Sequence, residues 1–303
     1  MKVLIAENVV QEAIDMFKAA GLEIDIKPTI DGEELVKAIP EYHAIMIRSK
    51  PTVTRAVIEA GKNLKVIGRA GVGLDNVDRQ AAKEKGVEVV NSPEASTISV
   101  AEHAIALMLS ISRQIPAAEK SMRDGKWDRK TFKGVEVHGK TLGIIGFGRI
   151  GREVAKMAKG LGMKIITYDP QATSEDAEEY DCKLVKLDEL FASSDYITLH
   201  VPNIPATQDM INKDTLAKMK KTAYLINTAR GAVINEDDLY NALKDKKIAG
   251  AAIDVYKTEP PTGSSLIGLD NIVLTPHLAA STKEAQVKAG TVVAEKIIKV
   301  LKA

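Results

Sequence analysis

Three residues of types that act on acidic substrates close three apolar runs in the second half of the chain. Arg230 ends "YLINTARG", Glu259 lies in the loop "VYKTEPP", and His277 follows "NIVLTP". Singly, each has an ordinary reading as a surface arginine, a loop carboxylate or a histidine ending a strand. Together they are more specific. A guanidinium holds a carboxylate through two parallel hydrogen bonds and polarises a carbonyl beside it. A carboxylate next to an imidazole fixes its tautomer and favours its protonated form, and imidazole is the usual proton carrier near neutral pH. Beside a nicotinamide, such a set suits the oxidation of a 2-hydroxy acid. Asp254, ending the strand "AGAAID", is placed to face a nicotinamide amide or to assist locally.

The stretch "KTLGIIGFGRIG" supplies the nicotinamide argument. Gly146, Gly148 and Gly151 follow an apolar strand and precede the helical pattern "REVAKMAKGLGM". Strand, glycine turn and helix in that order let backbone approach a pyrophosphate, whose charge the helix N-terminus favours. Asp169 ends the next strand in "ITYDP". A carboxylate there accepts hydrogen bonds from a ribose 2′-hydroxyl and repels a 2′-phosphate, which selects NAD over NADP.

These groups must be carried by strands whose carboxyl ends share one edge. From "KVLIAE" to "VEVVNSP", short β-rich runs alternate with helical patterns, and the rhythm restarts after Gly139. Alternation of this kind predicts parallel sheets covered by helices, here two doubly wound α/β domains. Between them, "STISVAEHAIALMLSISRQIPAAEKSMRDGKW" predicts one long helix crossing from domain to domain, starting at Ser96 or Thr97. The stretch from Thr282 to Leu301 predicts a last amphipathic helix that packs back on the first domain. The expected division is therefore 1–95 plus 282–303, and 96–281.

Composition narrows the function. With 303 residues, 45% of them hydrophobic and 27% charged, and a formal net charge of +1, the chain reads as globular and lacks the basic balance of a nucleic-acid binder. Apolar runs such as "AIALMLSI" fall far short of the roughly 20 residues that span a bilayer. The first residues meet Glu7 and Asn8 at once and read as a strand rather than a signal peptide. A single cysteine, Cys182, has no internal disulfide partner, so a reducing cytoplasm is the expected setting.

Several spaced motifs carry a resemblance: "VGRAGVGLDNVD", "GKTLGIIGFGRIGREVA" with "YDP", "NTARGAVINEDDLYNAL", "GAAIDVYKTEPP" and "TPHLAASTKEAQ". Over essentially its whole length the chain resembles the D-isomer-specific 2-hydroxyacid dehydrogenases, most closely the D-3-phosphoglycerate dehydrogenases. The resemblance implies a flavodoxin-like substrate domain followed by a Rossmann NAD-binding domain, which explains the late glycine turn. It implies Arg230 as substrate anchor, His277 as acid-base and Glu259 as its partner. Contacts to NAD would come from Val72, Arg149, Ile150, Asp169, Thr228, Ala229 and Asp254. The segment "DGKWDRK" carries the resemblance too and implies that Arg129 reaches a neighbouring subunit's cleft. Separately, the apolar segment Val100 to Ile111 and the following Trp127 loop suggest a homodimer built around that region, the alternative being that the segment packs between the two domains. The relatives' serine-binding regulatory domain has no counterpart up to Ala303, so feedback through it is not expected.

In the first domain, strand ends bring Arg48 and Arg69 toward the cleft, and the turn Gly71, Val72, Gly73 offers backbone N–H donors. Two cations opposite a carboxylate anchor fit a substrate with a second anion, such as phosphate. The activity expected is interconversion of 3-phosphoglycerate and 3-phosphohydroxypyruvate, the first step of serine biosynthesis. Glyoxylate or hydroxypyruvate reduction is the alternative, and an NAD-sensing corepressor a weaker one. No metal site is expected. His200 is the rival histidine, read as lining the cofactor cleft or as structural. His43, His103 and His138 are read as structural or exposed, with no charged partner.

Overall fold

The structure, a computed structural model, describes all 303 residues. They form two compact units, Met1–Thr97 with Ala280–Ala303, and Ile98–Ala279. The first unit holds five strands: β1 (Lys2–Ile5), β2 (Glu23–Ile26), β3 (Ala44–Ile47), β4 (Val66–Arg69) and β5 (Glu88–Asn91). All pair in parallel, in the order β2-β1-β3-β4-β5. That is the flavodoxin-like arrangement. β3 is buried along its whole length, as expected of a strand covered on both faces.

One face of this sheet is covered by the last helix, Lys283–Lys302. Thr282 caps it by accepting from the Ala285 N–H at 3.1 Å. Val293, Ala294, Ile297 and Leu301 enter the cluster of Val3, Ile5, Met46 and Val66. The approach is close because Gly68 in β4 lacks a side chain: a Cβ there would lie 2.5 Å from Ile297 Cδ1 and 2.6 Å from Val293 Cγ1.

The second unit holds β6 (Thr141–Ile145), β7 (Lys164–Tyr168), β8 (Lys183–Leu184), β9 (Tyr196–Leu199), β10 (Tyr224–Asn227), β11 (Gly250–Ile253) and β12 (Ile272–Leu274). They too are all parallel, ordered β12-β11-β10-β9-β6-β7-β8. The chain winds outward through β7 and β8, then crosses back to β9 and winds the other way. This is the Rossmann order with one added strand, and its direction reverses between β6 and β9.

The long connecting helix expected from the sequence is two helices, Thr97–Ser112 and Ile115–Arg123. Pro116 is the reason. Inside a continuous helix its ring would clash with the preceding turn and remove a hydrogen bond, so Gln114 adopts φ 53° and the chain restarts with proline in the first turn. The apolar face of Thr97–Ser112 is core rather than free surface. Ala101, Ala104, Leu107, Met108 and Ile111 pack with Leu142, Ile144 and Ala252.

Gly68→Val should drive a branched side chain into Ile297 and Val293, overpacking the helix seat. The expected loss is about 1–3 kcal/mol, read from urea unfolding. An unchanged midpoint would show that the helix does not depend on this seat.

Candidate active site

Because every strand of the seven-stranded sheet runs the same way, the segments leaving the carboxyl ends share one edge. In spatial order they carry Thr275 and His277 after β12, Asp254 after β11, Thr228 to Arg230 after β10, His200 after β9, Gly146 to Gly148 after β6, and Asp169 after β7. Topology alone gathers onto one edge the second-unit residues singled out in the sequence.

At the switch between β6 and β9 the glycines are needed for distinct reasons. Gly146 has φ 96°, and a Cβ there would meet the His200 carbonyl oxygen at 2.5 Å. A Cβ on Gly151 would meet the Gly146 carbonyl oxygen at 2.2 Å, so that glycine lets the helix Arg149–Gly160 sit close to the turn. Gly148 has nothing within 4 Å, so no protein atom requires glycine there; the open space is room for a ligand. It precedes the helix without a side-chain cap, leaving the first N–H groups for an anion. Gly148 and Arg149 are exposed, and Ile150 is half-buried.

Asp169 is tied to this turn. Its Oδ2 accepts from the Phe147 N–H at 2.8 Å and its Oδ1 from the Gln171 N–H at 2.8 Å. Arg152 braces the turn from behind, an arrangement that periodicity does not reveal. Its Nε donates to the Phe147 carbonyl at 3.0 Å, it pairs with Asp176 at 2.8 Å, and its guanidinium lies 5.5 Å from the ring centres of Phe147 and Tyr180. Along the same edge, Thr228 Oγ1 and His200 Nδ1 are shut off from solvent without a hydrogen-bond partner. The open cradle, the uncapped helix, the anchored carboxylate and an unused hydroxyl fit a dinucleotide.

His200 is not an acid-base group. Its Nε2 lies 3.0 Å from Thr198 Oγ1, and burial pushes its pKa down to about 3, so the ring stays neutral.

A carboxylate–imidazole pair stands at the other end of the edge. His277 Nδ1 lies 2.8 Å from Glu259 Oε2, with half of the histidine side chain exposed. Glu259 is held in turn: its Oε1 accepts from the Tyr256 N–H at 3.1 Å. The buried Tyr256 donates its hydroxyl to the Thr275 carbonyl at 3.0 Å. Burial raises that phenol to about 12, keeping it a donor.

Arg230 is half-buried, with Nη1 donating to the Ala229 carbonyl at 2.7 Å. The segment that carries it turns on Asn227, whose side chain accepts from the Ala229 N–H and donates to the Arg230 carbonyl, each at 3.0 Å. Gly231 then touches the Glu259 loop: a Cβ would stand 1.9 Å from the Tyr256 carbonyl carbon. The anchor loop and the carboxylate loop thus meet backbone to backbone.

One expectation needs correction, and it concerns His103 and its neighbour Asp254. Asp254 has no exposed surface, and both its oxygens accept hydrogen bonds from within the chain. Its Oδ1 accepts from Thr275 Oγ1 at 2.5 Å and the Leu278 N–H at 2.7 Å, and its Oδ2 from the Ala279 N–H at 2.9 Å. Burial works to raise its pKa, but hydrogen bonds from His103, Thr275, Leu278 and Ala279 outweigh it and hold the group ionised. His103, expected to have no charged partner, lies 3.4 Å from Asp254 Oδ1. His43 is a half-buried group whose Nδ1 accepts from the Lys2 N–H at 3.1 Å, and His138 is exposed, its ring lying over Gly162.

In the first unit, Arg48 and Arg69 follow or end the adjacent strands β3 and β4, and both are half-buried. Arg69 Nε donates to the Arg48 carbonyl at 3.0 Å, and its guanidinium folds over Gly71, where a Cβ would lie 1.9 Å from Nη1. Gly71 has φ 153°, Asn91 Nδ2 donates to the Val72 carbonyl at 2.6 Å, and Gly73 is half-buried. The Arg48 loop is fastened by Glu7, which accepts from the Arg48 N–H at 3.2 Å and the Lys50 N–H at 2.8 Å.

Residues 105–279 match the family model described as D-isomer specific 2-hydroxyacid dehydrogenase, NAD binding domain. A D-3-phosphoglycerate dehydrogenase of Archaeoglobus fulgidus is 51% identical over 303 residues, covering 100% of this chain and 58% of its own length. A hydroxypyruvate reductase of Thermotoga maritima is 51% identical over 276 residues, covering 90% of this chain and 89% of its own. A crystal structure of D-lactate dehydrogenase from Aquifex aeolicus, complexed with NAD and lactic acid, has a TM-score of 0.85 at 31% identity and covers 100% of this chain and 95% of that one. The chain spans little more than half the length of the D-3-phosphoglycerate dehydrogenases it matches. With its glycine turn, its Glu259–His277 pair and its Rossmann strand order, the chain belongs to the D-isomer specific 2-hydroxyacid dehydrogenases.

Proposed function

We propose that the chain is an NAD-dependent oxidoreductase interconverting D-3-phosphoglycerate and 3-phosphohydroxypyruvate, as in the first step of serine biosynthesis. The observation that carries the chemistry is the Glu259–His277 pair at 2.8 Å on the same sheet edge as Arg230 and the glycine turn. The cofactor, when bound, supplies or accepts the hydride at the carbinol carbon. Gly146, Gly148, Gly151, Arg149 and Ile150 would hold its pyrophosphate, Asp169 its ribose hydroxyls, and Thr228 and Ala229 the adjoining part. Arg230 binds the substrate carboxylate and polarises the neighbouring carbonyl. His277 gives its Nε2 proton to the carbonyl oxygen during reduction and takes it back during oxidation, while Glu259 stabilises the imidazolium. Arg48 and Arg69 supply charge for a phosphate. The buried Cys182, whose thiol burial raises to about 11, suits a reducing cytoplasm.

The similarity to a hydroxypyruvate reductase over 89% of that protein's length favours a second reading, reduction of an unphosphorylated 2-oxo acid. NADH oxidation with 3-phosphohydroxypyruvate, hydroxypyruvate and glyoxylate separates the two, and the first should be preferred by about tenfold or more in kcat/KM, since each extra ionic contact is worth roughly 1.5–3 kcal/mol. Arg48→Ala should cost activity on the phosphorylated substrate far more than on hydroxypyruvate. Equal losses would assign a general 2-oxo acid reductase, and equal efficiency with NADPH would contradict the role of Asp169. His277→Ala should lower turnover roughly 100- to 10,000-fold with either substrate.

A homodimer is also proposed, with the weight moved from the helical stretch Val100 to Ile111 to the Trp127 loop and the segment before it. Val100 to Ile111 is mostly spent on the core, whereas Ile115, Met122 and Trp127 are 51%, 54% and 72% exposed. Apolar surface gathered this way suits self-association. Light scattering should give twice the chain mass, and Met122→Glu with Trp127→Glu the mass of one chain. A wild-type monomer at micromolar concentration would contradict it.

A further inference from the structure

We propose that His103 is a positioning residue that sets the His277 turn from the far side of the sheet edge, through Thr275 and Asp254. The proposal rests on reading His277 as the acid-base group. His103 sits on the helix Thr97–Ser112, and its Nε2 lies 3.2 Å from Thr275 Oγ1 and 3.4 Å from Asp254 Oδ1. The direction of these bonds follows from chemistry. An ionised carboxylate only accepts, so Thr275, 2.5 Å away, must donate its single hydroxyl proton to Asp254. The Thr275 oxygen is left as an acceptor, and His103 must carry its proton on Nε2 to satisfy it. Donation straight to Asp254 requires the same tautomer.

The cluster ends on His277. Asp254 accepts from the Leu278 and Ala279 N–H groups, and its backbone carbonyl accepts from the His277 N–H at 2.8 Å. These bonds bracket His277, whose φ of 53° lies in the left-handed region. A histidine stays there only where its surroundings over-determine the turn. The backbone path from Asp254 to His277 is short, but His103 is 172 residues from Thr275 in sequence. Without its N–H, a fully buried carboxylate and the hydroxyl beside it lose a donor, and the bonds holding the turn must rearrange. The consequence falls on the Nδ1 contact with Glu259 and on the aim of Nε2.

The test compares His103→Leu, which removes the donor, with His103→Gln, whose side-chain amide restores an N–H near the Nε2 position. Thr275→Val breaks the same link at its middle without changing shape. Imidazole nitrogen–hydrogen spectra of the cofactor-free protein contain only five histidines, and His277→Ala identifies the His277 signal. His103→Leu and Thr275→Val should both displace that signal, and His103→Gln should return it close to its wild-type position. In turnover, the first two should lose about 10- to 100-fold in kcat, the usual effect of groups that orient a working residue, with NADH affinity within twofold of wild type. An unmoved His277 signal in both donor-breaking variants would overturn the proposal. So would equal displacement in His103→Leu and His103→Gln, which indicates packing alone. Absence of turnover by the wild-type protein on every 2-oxo acid would count against the function proposed above, while the spectra still decide the role of His103.

Discussion

A carboxylate with no exposed surface sits at the end of β11, and the site is arranged around satisfying it. An isolated buried charge costs far more than a domain's net stability, so Asp254 persists only because a hydroxyl, two backbone amides and an imidazole converge on it. The amides belong to the turn that displays His277. Satisfying the charge therefore ties down the turn that carries His277, the residue proposed above as the acid-base group. The neighbouring strand adds a steric constraint of the same kind. Gly231 brings the backbone after Arg230 against Tyr256, whose N–H aims Glu259 at His277. The loops that carry Arg230 and Glu259 are thus packed backbone to backbone, and a side-chain hydrogen bond joins Glu259 to His277.

The parallel sheet makes this economical. When all strands run one way and both faces are covered, the carboxyl ends form a single edge where loops are free to vary. The reversal of winding between β6 and β9 opens room at the glycine turn, while the segments after β10, β11 and β12 carry the groups proposed to react along the same edge.

Much of this was legible in the sequence because it is local. A strand, a glycine turn and a helix are contiguous, and apolar runs followed by Arg230, Asp254 and His277 mark strand ends directly. The break at Gln114 was also present, in Pro116, but the apolar spacing of Thr97–Ser112 overshadowed it. What escaped was long-range. His103 looks like an unpartnered histidine on a helix until the fold brings Thr275 and Asp254 beside it. Asp254 is legible as a strand-end acid, but the partners that converge on it, His103, Thr275, Leu278 and Ala279, are not. Gly231 reads as an ordinary turn glycine until Tyr256 is packed against it, and nothing local joins Arg152 to Tyr180 or Glu7 to the Arg48 loop. Contacts of this kind depend on sheet order, which periodicity does not encode.

Transfer of an isotopic label tests the central claim most directly, because it follows the hydride itself. NADH carrying deuterium on one face of C4 at a time, used to reduce 3-phosphohydroxypyruvate or hydroxypyruvate, should deliver deuterium to C2 of the product from one face only. The product should be the D isomer. Labelled product from both cofactors, unlabelled product from both, or the L isomer would contradict a single cofactor and acid-base arrangement along the carboxyl edge of the seven-stranded sheet.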